Sequence, residues 1–192
     1  RIVIRIATDS SMQLPLFLTT EQYLLEQDQG VMLGQGIYFG IMIAMIFYNL
    51  FLYFSFRDNN YLLYILSVAC VAIVQATLRG YSYQFLWPEW PTLQHFHMPI
   101  VVSLSGASVA FFSLSFLNLR TFHKGFYYVV LGLALVLSAN ALLSPLLGYP
   151  IAVRIGVGVT MLYAIAGLII GSISWRSGFT PAKYFTGAYF VL

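Results

Sequence analysis

Charge is what this chain has least of. Only 8% of its 192 residues are charged, against 60% hydrophobic, and the mean hydropathy is +0.83. Soluble domains carry about 25% charged and about 45–50% apolar residues. No water-soluble fold of this size hides such an excess, so the solvent is a bilayer. Carboxylates are absent from the whole stretch after Glu89. Proton pumps and cation-coupled transporters use intramembrane carboxylates as relays or ion ligands, and their lack argues against that class. One cysteine, Cys70, excludes an internal disulfide framework and any multi-cysteine metal site. There is no Ser-His-Asp set, no P-loop and no glycine-rich nucleotide loop, since Gly156 and Gly158 fall inside an apolar run. Lys124 and Lys183 lie in or beside loops, which leaves no Schiff-base lysine for retinal. Neither catalysis nor a cofactor is expected. A net charge of +3 is too small to suggest a nucleic-acid partner.

What the chain does have is a run of long apolar segments behind a different beginning. Residues 1–30 hold four of the six acids. Ile2, Ile4 and Ile6 alternate with Arg1, Val3 and Arg5, the period of a half-buried strand, and Met12, Leu14, Leu16 and Leu18 alternate again. Pro15 confines that second strand to an edge or bulge. Thr19 or Thr20 caps a short polar helix through Glu21, Glu26 and Asp28. This stretch reads as the end of an extracytoplasmic β-rich domain with its connecting helix. Residues 31–192 read as an all-α polytopic membrane bundle, with spans at about 33–56, 61–78, 98–117, 126–147 and 152–174. A sixth, 184–192, is too short to span, because crossing needs roughly 20 residues. Both ends therefore read as internal to a longer protein.

Insertion energetics support these spans. Residues 152–174 contain ten Val, Leu and Ile, together favourable by roughly 3–6 kcal/mol, against about +3 for an arginine at a helix centre. Arg154 sits near the end of its span, where it can snorkel to the interface. All seven prolines are expected outside helix interiors, with Pro99 in a first turn. Charge sets the orientation. With the amino-terminal segment outside, the inner loops carry Arg57, Arg120, Lys124, Arg176 and Lys183, and the outer loops only Arg79 and Arg154. Trp87 and Trp90 in the outer connection, and Trp175 at the inner end of the fifth span, read as interface anchors. Arg120 and Lys124 anchor to anionic lipid on the inner leaflet.

The polar groups left inside the spans are neutral. Asn49, Gln75 and Asn140 are candidates either for bonding between helices or for switching between two packings. Asn49 is the leading candidate for the switch. Gly36/Gly40 and Gly167/Gly171 are small-xxx-small pairs that let helix backbones approach closely, within the bundle or in a homodimer. His95 and His97 alternate and so point apart, a poor arrangement for chelating a metal.

The run Gly36-Ile-Tyr-Phe-Gly-Ile-Met-Ile-Ala-Met-Ile-Phe-Tyr-Asn-Leu-Phe-Leu-Tyr-Phe-Ser-Phe-Arg-Asp58, followed by Tyr61-Leu-Leu-Tyr64, resembles the start of the bacterial seven-transmembrane receptors with diverse intracellular signalling modules. Gly80 with Gln84-Phe-Leu-Trp-Pro88 resembles that family's first outer loop, and Phe116-Leu-Asn-Leu-Arg120 the end of its third helix. Ser11-Met-Gln-Leu-Pro-Leu-Phe-Leu18 looks like the last strand of the jelly-roll sensor found in one subgroup. The resemblance implies a sensory receptor of a bacterial inner membrane with its amino-terminal segment periplasmic. Its sensor would bind a small molecule, carbohydrate among the candidates. Its helices would relay the change to a cytoplasmic histidine kinase, diguanylate cyclase or phosphatase. The alternative class is a membrane transporter or channel module.

Overall fold

The computed structural model describes residues 21–82, 84, 91–122, 124–176 and 180–191. Among these the chain is helical: α1 (Glu21–Phe56), α2 (Asn59–Leu78), α3 (Pro91–Phe116), α4 (Leu119–Phe122), α5 (Lys124–Leu147), α6 (Tyr149–Arg176) and α7 (Thr180–Val191). Five stretches are long and apolar enough to cross a membrane: Gln29–Phe56, Asn59–Leu78, Phe96–Phe116, Lys124–Leu147 and Tyr149–Arg176. A helix satisfies its own backbone polar groups where no water can. The protein is thus the all-α polytopic bundle expected. The strands expected within residues 1–18 lie outside the described residues, as do Trp87 and Trp90.

The breaks between helices are set by local chemistry. Arg57 and Asn118 adopt left-handed φ values of 56° and 47°, and Gly80 and Gly148 take 80° and 77°. A left-handed residue just past a helix lets the chain turn back on the last carbonyls. The Arg57 N–H donates to the Tyr53 carbonyl at 2.8 Å. Asp58, in extended conformation, then caps α2 by accepting from the Asn60 N–H at 2.9 Å. Two residues thus reverse the chain from α1 to α2.

Two prolines differ from expectation. Pro99 and Pro145 lie inside α3 and α5. Helix α3 begins at Pro91, well before the expected edge of the span, so Pro99 is no longer in a first turn. Pro145 falls in the last turn of α5. Membrane helices tolerate proline because packed neighbours and local side chains re-satisfy the freed carbonyls.

The chain divides into two compact units, Arg1–Gly40 and Ile41–Leu192. The described part of the first is the opening of α1, whose Val31, Met32, Leu33 and Ile37 are exposed. In the second, α3 is central and packs on α2, α5 and α6, while α6 also carries α7. The core gathers Ala110, Leu114, Leu117 and Leu119 with Val130, Ala134, Tyr163, Ile170, Ala182 and Phe185. Large apolar side chains such as Phe51, Phe54, Leu142 and Leu146 face outward, while Ser103, Ser108, Ser113, Asn140, Ser144 and Thr186 are buried. In water this would be inverted. In lipid, acyl chains solvate leucine as well as a core does, so helices associate through close packing of small residues and through hydrogen bonds.

Candidate functional site

Helix α6 carries a stripe of mostly small buried residues: Ala152, Gly156, Tyr163, Gly167, Ile170, Gly171 and Ser174. Spacings of three, four or seven relate most of them, which keeps them on one side of the helix. The small residues there let the Asn140 amide of α5 reach the α6 backbone.

The reach is made by Asn140. Its Nδ2 donates to Ser103 Oγ on α3 at 2.8 Å and to the Ala152 carbonyl on α6 at 2.9 Å. One amide from α5 thereby ties three helices at one point. Gly156 makes the approach possible: a Cβ built there would lie 2.7 Å from Ser103 Oγ and 3.3 Å from Asn140 Nδ2. One turn along, a Cβ on Gly106 would lie 2.6 Å from Thr160 Oγ1 and 3.0 Å from Leu137 Cδ1. A further turn along, the Tyr163 hydroxyl donates to the Val109 carbonyl at 3.1 Å. Residues 103, 106 and 109 therefore run beside 156, 160 and 163. Helices α3 and α6 are parallel, with α5 antiparallel to both.

The other polar candidates are placed differently. Asn49 is buried, yet its Nδ2 donates at 2.8 Å to the Met45 carbonyl of its own helix. Gln75 is half-buried, and its backbone carbonyl receives the Arg79 N–H that closes α2. Of the three amide side chains, Asn140 is the one seen to bridge helices. Gly36 and Gly40 are exposed, with nothing within 4 Å of an added Cβ. Gly167 and Gly171 are buried, and a Cβ on Gly171 would lie 2.6 Å from Thr186 Oγ1 and 3.2 Å from Phe185 Cδ1. At Gly171, α7 seats on α6. Arg120, Lys124 and Trp175 are exposed.

A second polar cluster lies where α2 ends and α3 begins. The Thr77 hydroxyl is 2.7 Å from the Ile73 carbonyl, 2.9 Å from Ser82 Oγ and 2.9 Å from His97 Nε2. A hydroxyl has one hydrogen, and a carbonyl can only accept. Thr77 therefore donates to Ile73, and both Ser82 and His97 donate to Thr77. His97 thus donates through Nε2–H, which commits that nitrogen to holding α2 against α3. Nearer the opposite end, ring contacts run from Tyr64 on α2 to Phe112 at 5.5 Å, to Phe116 at 5.1 Å and to Phe185 on α7 at 6.5 Å.

Sequence reasoning set Gly156 aside inside an apolar run, and it did not single out Gly106 or Ser144. The available signal was the pairing of small and polar residues three or four apart on two apolar segments, Ser103 with Gly106 and Gly156 with Thr160.

These helices, with their buried neutral polar seam, define a multi-pass membrane protein. Residues 32–192 match the family model described as 7TM diverse intracellular signalling. The chain belongs to that family, and the matched part is a transmembrane signalling region, not itself catalytic. No curated protein and no solved structure matches the chain.

Proposed function

We propose that this bundle relays ligand binding at a periplasmic sensor to a cytoplasmic kinase, diguanylate cyclase or phosphatase across a bacterial inner membrane. The ligand is a small molecule, with carbohydrate among the candidates. Residues 1–30 close the sensor and deliver its motion to the first span. The excess of Arg and Lys in the loops holding Arg57, Arg120, Lys124, Arg176 and Lys183 supports a periplasmic amino-terminal segment. The receptor acts in the bilayer as a monomer or a homodimer.

The observation that carries the reading is the Asn140 junction. A relay needs two packings that ligand distinguishes. A single amide held by α3 and α6 is a suitable pivot, because its bonds are few and exchangeable. The seat of α7 at Gly171 lies further along the same face of α6. Movement of α6 relative to α3 and α5 is thus transmitted to α7.

Asn140→Leu tests this. In the intact receptor the variant should reach the membrane at the wild-type level, yet lose ligand-dependent output. Asn49→Leu, whose side-chain bond lies within α1, should alter output less. Unchanged ligand response in Asn140→Leu would remove the pivot from the account. A solute-flux assay separates the relay from a transporter or channel.

A further inference from the structure

The Asn140 junction leaves a set of buried polar atoms with nothing to bond, and their positions define a site. Both amide hydrogens of Asn140 are used, on Ser103 Oγ and on the Ala152 carbonyl. The second of these fixes the amide's orientation, since a flipped side chain would set Oδ1 against the Ala152 oxygen, acceptor to acceptor. Oδ1 is therefore the atom left over. It is buried without a partner, on a residue only 4% exposed.

One turn further along α5, Ser144 is 0% exposed and its Oγ also lacks a partner. Residues four apart on a helix share a face, with Cβ atoms about 5–6 Å apart. A single oxygen making two bonds of about 2.8 Å closes that gap. A third group lies at the same level. Pro145 has no N–H, so the Ala141 carbonyl loses the donor that an α-helix normally supplies from four residues on. Three polar groups thus lie within about one turn of one another at the Pro145 end of α5. Empty, Asn140 Oδ1 and Ser144 Oγ would be an acceptor and a hydroxyl stripped of water without replacement, an arrangement native cores avoid.

We propose that Asn140 Oδ1, Ser144 Oγ and the Ala141 carbonyl hold one ordered internal water. The hydrogen count closes. The water donates to Asn140 Oδ1 and to the Ala141 carbonyl and accepts the Ser144 hydroxyl hydrogen, about the three bonds usual for a buried water. The site lies close to the end of α5 at Leu147, so bulk solvent is near. This inference stands apart from the signalling reading and survives its failure.

The sign of one substitution separates a hydrated site from an empty one. In the intact protein, reconstituted in lipid nanodiscs, Ser144→Ala is compared with wild type and with Ser115→Ala at an exposed serine of α3. If Ser144 binds water, removing its hydroxyl takes away the water's donor, and the melting temperature falls by about 2–4 °C. If the hydroxyl is a bare orphan, its removal raises the melting temperature, which overturns the proposal. Wild-type protein gives a direct reading should the variant not fold. A structure that shows ordered waters should place a density peak within hydrogen-bond distance of both Asn140 Oδ1 and Ser144 Oγ, and an empty position there would overturn the assignment. Wild-type melting should be the same in sodium and choline salts; stabilisation by sodium would mean that a cation occupies the site instead.

Discussion

Gly156→Ala puts the three-helix junction under the smallest possible load, one methyl group. The added carbon would stand 2.7 Å from Ser103 Oγ, 3.3 Å from Asn140 Nδ2 and 3.8 Å from Val102 Cγ1. Ser103 is fully buried, and turning its hydroxyl away breaks its bond with Asn140. A hydrogen bond between membrane helices is worth about 0.6 kcal/mol on average, and overpacking a core costs typically about 1–3 kcal/mol. Against these, alanine favours the helix over glycine by about 0.8–1.0 kcal/mol. The balance is a loss of about 1–2 kcal/mol, or roughly 2–8 °C in melting temperature for a chain of this size.

Gly158→Ala is the internal control. Gly158 is exposed on the same helix, with nothing within 4 Å of an added Cβ. It should show only the propensity gain, so the two alanines should differ in sign. Thermal melting of the intact protein in nanodiscs checks this. Ser103→Ala in the Gly156→Ala background should recover part of the loss, because it removes the atom the new methyl meets. If Gly156→Ala melts with or above Gly158→Ala, the close approach of α3, α5 and α6 is refuted.

Two further outcomes follow from the same packing. Gly171→Leu should unseat α7, because even a Cβ there crowds Thr186 and Phe185; raised protease sensitivity near Thr180 with the α3–α5–α6 packing intact is the expected readout, and an unchanged digestion and melting profile would contradict it. For orientation, single cysteines placed by Gln29→Cys, Arg79→Cys, Arg57→Cys and Lys124→Cys in a Cys70→Ala background should divide under an impermeant thiol reagent. The first pair should label from the periplasm and the second from the cytoplasm, and the swapped pattern would reverse the proposed direction of signalling.

Much of the fold was legible because lipid imposes a simple rule. Runs such as 33–56 and 126–147 have to be helices, since no other conformation satisfies an isolated backbone segment in hydrocarbon. The breaks were legible too, from Arg57-Asp-Asn-Asn60 and from Gly148-Tyr-Pro150, because turn residues and charges interrupt the apolar pattern. Prolines were harder to place. Both Pro99 and Pro145 were expected outside helix interiors, Pro99 in a first turn, yet both sit inside helices, which a membrane bundle tolerates.

The candidate site was legible only as a set of residue types. Asn49, Gln75 and Asn140 look alike in sequence, each an amide in an apolar run. Asn140 and Ser103 stand 37 positions apart, and their bond depends on how far α3 and α6 let α5 approach. That distance is set by glycine, whose contribution is the absence of atoms. Hydropathy does not register it, and the same holds for Gly106 facing Thr160.

The sequence by itself determined the solvent, the helical class and the loops that carry the positive charge, because each depends on local composition and on what a bilayer tolerates. Only the tertiary structure decided which polar groups meet, which glycine pair is buried and which amide ties three helices. Those outcomes are sums over residues distant in the chain, resolved at the scale of a single methyl group, below anything a linear pattern records.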